Sequence, residues 1–157
     1  MPKKYSFNTH WELKASLHEV WNAIYNSVEW PQWWKGVCKV TEIKPNDANG
    51  INGIKVYTWK SVLPYELSFS VCLEECDPMK RMKGIAFGEL KGIGEWTFSE
   101  HDGIIEVHYY WDVVTTKNWM NTFSFLLSPL FALNHNIVMH WGAKGLSKKL
   151  GCILMKG

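Results

Sequence analysis

The sequence of 157 residues predicts an α+β fold, in which a curved antiparallel sheet of six or seven strands wraps around a long C-terminal helix. Three observations predict it. Residues 5–13 alternate apolar and polar side chains, which is typical of a half-buried strand. Residues 37–114 contain strand-like runs separated by short turn signals, which favours antiparallel hairpins. Residues 118–150 follow a helical period.

Two short helices are expected after the first strand, at residues 17–26 and 30–35. Ser16 and Glu19 form the S-x-x-E pattern of a capping box at the start of the first helix. Pro31 suits the first turn of the second helix, where its missing N–H is not needed. Both helices are therefore expected at one end of the sheet.

The stretch VEWPQWWKGV, residues 28–37, places Trp30, Trp33 and Trp34 within ten positions. Indole is a large apolar side chain that is usually buried. We expect Trp33 and Trp34 to pack where the short helices meet the sheet and to close that end of the fold. Direct contact with a ligand is the alternative.

Turn-forming residues divide the middle of the chain into six strand-like runs, and the first strand brings the total to seven. The runs are 37–44, 54–62, 65–76, 81–87, 93–99 and 104–114. Seven strands about 4.8 Å apart make a sheet roughly 30 Å wide, whereas one helix is only about 10 Å across. The sheet must therefore curl around the helix, and the remaining volume is a cavity.

Aromatic side chains are expected to line this cavity, because alternation turns them toward the concave face. Trp111 is expected in the wall with Phe69 and Trp96 nearby, in a pocket of about 300–1,000 Å³. The complete set of candidate ligand-binding residues is Trp59, Phe69, Trp96, Tyr109, Trp111, Trp119, Phe123 and Asn134.

One strand gives no clear orientation. In residues 54–62, Ile54 and Val56 oppose Tyr57 and Trp59, so either pair can face inward. The candidate role of Trp59 depends on this choice.

The predicted C-terminal helix begins with Trp119 and Phe123, which are expected to lie over the aromatic wall. Pro129 removes a backbone donor, so a kink or break is expected there. At a helical period the apolar residues of 118–150 fall on one arc: Trp119, Phe123, Leu126, Leu127, Leu130, Leu133, Ile137, Val138 and Trp141. Asn134 falls inside this apolar arc, where it either binds a ligand or bridges the disruption at Pro129. His135 lies at the edge of the arc, with a functional role as the lesser alternative.

Composition excludes several classes of partner. The chain has 17 Lys and Arg residues against 15 Asp and Glu residues, without a basic stripe, so no nucleic-acid partner is expected. The longest apolar stretch, FLLSPLFAL, is too short for membrane insertion. The start of the chain shows no signal peptide, so the four cysteines are expected as free thiols in the cytoplasm. The oligomeric state stays open.

Catalytic and metal-binding patterns are scarce. Glu66 and Asp112 are carboxylates in the sheet, but alternation turns them outward. The histidines, at positions 10, 18, 101, 108, 135 and 140, show no ligand spacing on a common face. No metal and no cofactor is therefore expected, and whether the protein is an enzyme stays open.

Several motifs resemble a known family: ASLHEVWNAIYNSVEWPQWWKGV, GELKGIGEW at 88–96, TTKNWM at 115–120 and NHNIVMHWGAKGL at 134–146. They are similar to those of the START/Bet v 1-like (SRPBCC) superfamily, particularly its polyketide cyclase/dehydrase-like branch of small bacterial proteins. The resemblance covers nearly the whole chain, so residues 1–157 are expected to form one domain. It implies the helix-grip fold and a deep hydrophobic pocket between the sheet and the C-terminal helix.

The resulting functional hypothesis is the binding of a small hydrophobic or amphipathic molecule in that pocket. A polyketide cyclase or dehydrase acting on a hydrophobic poly-keto or aromatic substrate is the first alternative. A peptide-binding or partner-binding module, in which the aromatic groove receives a peptide, is the second. The side chains that line the cavity discriminate these hypotheses.

Overall fold

The computed structural model describes residues 3–157. Within this range it contains eight strands and four α-helices, with a 3-10 turn at Ser27–Glu29 between the first two helices. The elements in chain order are β1 (Lys4–Lys14), α1 (Leu17–Tyr25), α2 (Trp30–Trp33), β2 (Val37–Lys44), β3 (Ile54–Lys60), β4 (Glu66–Asp77), β5 (Arg81–Gly88), β6 (Leu90–His101), β7 (Ile104–Thr115), α3 (Asn118–Thr122), α4 (Ser124–Leu150) and β8 (Ile153–Lys156).

The strands form one antiparallel sheet in the order β2-β3-β4-β5-β6-β7-β1-β8. Strands β2 to β7 are a continuous meander, as their short connections predict. The N-terminal strand β1 pairs along its whole length with β7, from Lys4 opposite Val114 to Lys14 opposite Ile104. The predicted helix-grip architecture, with two short helices after the first strand, is confirmed.

The sheet has one strand more than the larger predicted number. The additional strand, β8, follows Gly151, whose left-handed conformation (φ 63°) ends α4. It pairs with the last residues of β1, from Glu12 to Lys14. Four residues are too few to show an alternating pattern, so sequence alone did not reveal this strand.

The N-terminal elements follow their sequence signals. Tyr5, Trp11 and Leu13 of β1 are buried on one face, as alternation predicts. Ser16 caps α1, since its Oγ accepts a hydrogen bond from the backbone N–H of Glu19 at 3.2 Å. This cap fixes where the chain leaves the sheet and begins to close its end.

The C-terminal helical region breaks at Phe123 and not at Pro129. Phe123 separates α3 from α4, while α4 continues through Pro129, which lies in its second turn. The carbonyl oxygen of Phe123 accepts hydrogen bonds from the N–H groups of Leu126 and Leu127, so this residue starts the new helix. The predicted break therefore occurs six residues earlier.

The face of α4 that packs against the sheet also differs from the predicted arc. Its fully buried residues are Val138, Met139, Gly142, Ala143 and Leu146. Most of the predicted arc in the first half of the helix is exposed, for example Leu126, Leu130 and Leu133. The inward face carries small and polar residues, so hydrophobicity alone did not mark it.

No helix within residues 3–157 is long and apolar enough to cross a membrane.

Two glycines let α4 approach the second short helix closely. A Cβ atom at Gly142 would lie 2.5 Å from Cε2 of Trp34, and one at Gly145 would overlap the carbonyl oxygen of Trp33. Glycine in a helix costs about 1 kcal/mol relative to alanine. At these positions the absent side chain makes room for the tryptophans of the WPQWW segment.

Candidate ligand-binding cavity

A cavity of about 140 Å³ lies between the concave face of the sheet and α4. Six of the eight candidate residues line it: Trp59, Phe69, Trp96, Tyr109, Trp111 and Asn134. Its volume is smaller than the expected 300–1,000 Å³, because the aromatic rings themselves fill much of the concave space. A dry cavity of about 150 Å³ accepts a molecule the size of benzene.

The other two candidates, Trp119 and Phe123, are not among the residues that line the cavity. Trp119 is 44% exposed and Phe123 is 50% exposed. The reason is the break at Phe123, which interrupts the helical period on which their predicted position depends. Trp119 packs against Tyr65 in a T-shaped arrangement, with ring centroids 5.5 Å apart. Met120, one residue further along α3, lines the cavity instead.

The wall of the cavity is a chain of packed rings. Tyr109 stacks on Trp96 with centroids 4.1 Å apart and on Trp111 at 5.9 Å. Trp111 in turn meets Phe69 at 5.4 Å. Gly94 permits this packing, because a Cβ atom there would lie 2.8 Å from the Tyr109 hydroxyl oxygen. The wall is therefore built by β4, β6 and β7 together.

The end of the cavity is closed by tryptophans from the segment around α2. Trp34 is 1% exposed, and its Nε1–H donates to the carbonyl oxygen of Val138 at 2.8 Å. Trp30 also lines the cavity, and its centroid lies 4.8 Å from that of Trp34. Trp33 stacks on Trp34 at 5.6 Å without lining the cavity. Trp34 thus packs in the core and contacts the cavity as well.

The orientation of β3, which the sequence leaves open, is settled by its contacts. Tyr57 stacks on Phe69 at 6.1 Å, and Trp59 packs edge-on against Trp34 at 5.3 Å, so both face inward. Lys55 shares this face and lines a second cavity of about 90 Å³. Burial lowers the pKa of the Lys55 ammonium group.

The two cavities have a common aromatic boundary. Six side chains line both of them: Trp30, Trp59, Phe69, Trp96, Tyr109 and Trp111. The rings of these side chains therefore lie between the two spaces. The cavity near α4 is the more apolar of the two, so we take it as the candidate site.

His135 is the most unusual group in this site. Its ring stacks on Phe7 with centroids 4.1 Å apart and an interplanar angle of 11°. Both ring nitrogens are buried, and neither has a hydrogen-bond partner among residues 3–157. Buried polar groups are normally hydrogen-bonded. The neighbouring Asn134 side chain already accepts a hydrogen bond from the Ser61 hydroxyl.

The site is electrically neutral at pH 7. Burial lowers the pKa of His135 to about 4, so its imidazole is uncharged. Burial likewise raises the pKa of Tyr65 to about 12 and raises the pKa of Tyr109, so both phenols stay protonated. This environment suits a neutral ligand, because a charged one would lose its hydration without gaining a counter-charge.

Stability should fall between pH 7 and pH 5 because of His135. Its pKa is about 4 in the folded protein and 6.5 in the unfolded chain, so the unfolded chain binds the proton first as pH falls. The expected loss is about 2 kcal/mol over this interval. The His135→Phe variant should lack this part of the pH dependence. Urea unfolding of both proteins at pH 7, 6 and 5 measures this loss. If the free energy of unfolding changed equally with pH in the two proteins, the buried, neutral imidazole would be contradicted.

The helical period places His135 only at the edge of the predicted arc, outside the set of candidate ligand-binding residues. Its packing partner Phe7 lies at the other end of the chain, so spacing along the sequence does not show the contact. The polar pair Asn134 and His135 within an apolar helix was the available signal. Two adjacent polar side chains cannot both be explained by a single disruption at Pro129.

The carboxylates predicted to face outward do not reach the cavity. Asp112 accepts a hydrogen bond from the Ser6 hydroxyl at 2.7 Å and pairs with Lys4 at 3.3 Å. These contacts, first of all the Ser6 hydrogen bond, lower the pKa of the Asp112 carboxyl group. Glu66 is exposed at the start of β4 and is not among the residues that line either cavity.

One expectation about the histidines was wrong. The strand register places His10 directly opposite His108 on the outer face of the sheet, so a common face does exist. The two residues are far apart in sequence, so spacing along the chain did not show it.

Comparison with solved structures supports the architecture. TTHA0849 from Thermus thermophilus is 14% identical, with a TM-score of 0.78 over 93% of this chain and 97% of that one. The Zhui aromatase/cyclase from a Streptomyces species is 9% identical, with a TM-score of 0.75 over 95% and 94%. A START superfamily protein from Mycobacterium smegmatis is 10% identical, with a TM-score of 0.71 over 94% and 97%.

Sequence comparison finds no family model and no curated protein that matches the chain. At these identities the structural likeness defines the fold and not the activity. The chain has the START/Bet v 1-like helix-grip fold.

Proposed function

We propose that the protein binds a small, neutral, mostly apolar molecule whose single polar group meets His135. The observation that carries this proposal is the pair of buried ring nitrogens of His135, which have no hydrogen-bond partner among residues 3–157 and lie beside an aromatic-walled cavity. A neutral imidazole offers one N–H donor and one acceptor nitrogen. A ligand hydroxyl group can pair with the donor or with the acceptor, and a ligand carbonyl group can accept from the N–H donor. The apolar part of the ligand would pack against the aromatic wall.

The cavity volume supports a ligand of about one ring. A volume of about 140 Å³ is close to that of cavities that accept benzene. A larger molecule requires movement of the rings that separate the first cavity from the second. We further propose that residues 1–157 act as one domain in the cytoplasm, where its four free thiols stay reduced.

Cyclase or dehydrase chemistry remains the first alternative, and His135 is the residue that would favour it. The fold is shared with an aromatase/cyclase, and the imidazole of His135 lines the cavity. A general base works best with a pKa near the working pH. Because burial lowers the pKa of His135 to about 4, the imidazole is a weak base and suits hydrogen bonding better.

A peptide-binding or partner-binding module is the second alternative. It would be favoured by a filled core without internal space. The two cavities, of about 140 and 90 Å³, support small-molecule binding instead.

Titration with phenol and toluene, which have nearly the same shape, tests the proposal. Both should perturb the NMR signals of cavity residues such as Trp111. Phenol should bind about 2- to 10-fold more tightly, the value of one added hydrogen bond. In His135→Phe the advantage of phenol should vanish while toluene still binds. Phe123→Ala, outside the cavity, is the matched control and should bind both probes like the wild type.

Two results would contradict the proposal. If neither probe perturbs the cavity signals, the aromatic rings are ordinary core. If phenol keeps its advantage in His135→Phe, the polar group is bound elsewhere. Turnover of a poly-β-keto thioester by the wild type, lost in His135→Phe, would instead favour the cyclase alternative.

A further inference from the structure

The outer face of the β1–β7 pair carries a compact group of histidine and glutamate side chains. His10 on β1 lies directly opposite His108 on β7, and their ring centroids are 4.1 Å apart. Glu106, two residues before His108, points to the same face. The ligand-type atoms of His10, Glu106 and His108 all lie within 4.8 Å of one another.

We propose that His10, His108 and Glu106 form a binding site for a divalent transition-metal ion, with Zn²⁺ as the best fit. Two imidazole nitrogens and one carboxylate oxygen are a ligand set that zinc accepts, with water or a second carboxylate in the fourth position. Zinc–nitrogen distances of about 2.0–2.1 Å place neighbouring donor atoms about 3.4 Å apart. The observed separations of up to 4.8 Å must therefore shorten on binding, through changes in the three side-chain rotamers.

A second carboxylate borders the site. Glu12 lies directly opposite Glu106, and its Oε1 is 3.2 Å from Nε2 of His10. Like charges directly opposite each other on a sheet are destabilising. A bound cation between the two strands offsets this repulsion. Glu106 is assigned as the carboxylate ligand, because its carboxylate lies within 4.8 Å of ring nitrogens of both histidines.

Hydrogen bonding within the group is uneven between the histidine and the glutamate. Nε2 of His10 is buried and, among residues 3–157, lacks a partner with hydrogen-bond geometry, despite the nearby Glu12 oxygen. On the other side, the Ser99 hydroxyl donates to Oε2 of Glu106 at 3.3 Å. Hydrogen bonds of this kind orient metal ligands.

The backbone holds these positions firmly. β1 and β7 pair in unbroken register from Lys4 to Lys14, and the histidine pair lies in the second half of that stretch. Sites on paired strands keep their ligands in place better than sites on loops. The group is on the convex side of the sheet, while the ligand cavity is on the concave side. Metal binding here is therefore independent of the proposed function.

Calorimetric titration of tag-free protein with ZnCl₂ tests the site. One zinc ion should bind per chain, and Mg²⁺ should not compete, because it prefers oxygen ligands. At a free zinc concentration about 100 times the dissociation constant, the melting temperature should rise by about 5–10 °C. Co²⁺ should bind without the charge-transfer absorption that cysteine ligands give.

Single substitutions locate the ion. His10→Gln and His108→Gln should each weaken zinc binding by about 100-fold or more, since loss of an outer partner alone costs roughly 10- to 100-fold. His18→Gln removes an exposed histidine on α1 and should bind like the wild type. His10→Gln and His108→Gln should still bind phenol in the cavity. This result separates the test of the metal site from that of the proposed function.

Absence of zinc binding by the wild type would overturn the proposal. It would also be overturned if His10→Gln and His108→Gln bound zinc as tightly as His18→Gln. A thiolate band in the cobalt spectrum would place the metal on the cysteines and would overturn it as well.

Discussion

Replacement of Trp34 by alanine should lower the free energy of unfolding by about 3–5 kcal/mol. Trp34 is 1% exposed and packs within 6.3 Å of the ring centroids of five other tryptophans. Its Nε1–H also donates a hydrogen bond to the carbonyl oxygen of Val138 in α4. The substitution removes the ring that joins the short helices, the sheet and α4. Urea unfolding followed by circular dichroism measures the loss.

Two variants serve as controls for this prediction. Trp34→Phe keeps an aromatic ring and loses the hydrogen bond to Val138, so its loss should be clearly smaller. Trp119→Ala removes a tryptophan that is 44% exposed on α3 and should cost less than about 1 kcal/mol. Equal losses for Trp34→Ala and Trp119→Ala would mean that Trp34 does not anchor the fold.

Replacement of Gly145 by alanine should destabilise the protein by about 3 kcal/mol or more, the upper end of the range for overpacking. The new Cβ atom would overlap the carbonyl oxygen of Trp33, which is backbone and cannot rotate away. Intrinsic helix propensity alone predicts a gain of about 1 kcal/mol for the same change. The sign of the measured effect therefore reports the close packing of α4 against α2.

Lys144→Ala is the control, because it places an alanine at the adjacent, exposed position of α4. It should change the free energy of unfolding by no more than about 0.5 kcal/mol. If Gly145→Ala proves more stable than the wild type, the two helices do not pack as closely as described.

Much of the fold is predictable from local patterns. Alternation in β1 and β7 identifies the buried faces correctly, from Tyr5 to Leu13 and from Ile105 to Val113. The width of the resulting sheet then requires it to curl around one helix. The cap at Ser16 and the turns between strands mark element ends, because these signals act over a few residues.

The C-terminal helix is predicted less well, and Trp119 and Phe123 show why. A helical period applied across 118–150 assumes one straight helix. The break at Phe123 ends that phase, so residues before it no longer share a face with those after it. Pro129 was the stronger local signal, but it lies in the second turn of α4 and the helix continues through it.

The polar groups of the two candidate sites depend on contacts between distant residues. His135 meets Phe7, and His10 meets His108, only once the sheet register is fixed. The spacing of residues along the sequence does not predict either contact. The aromatic wall is different, because Phe69, Trp96 and Trp111 each follow from alternation within their own strand.

We propose above that a ligand binds in the cavity beside the Trp111 ring and His135. The most direct test is a crystal structure of the protein soaked with 4-iodophenol, whose iodine atom gives an anomalous signal. We predict an iodine peak inside the cavity, with the phenol oxygen within hydrogen-bond distance of a ring nitrogen of His135. An iodine peak only on the exposed apolar face of α4, or an unoccupied cavity at saturating concentration, would contradict the account.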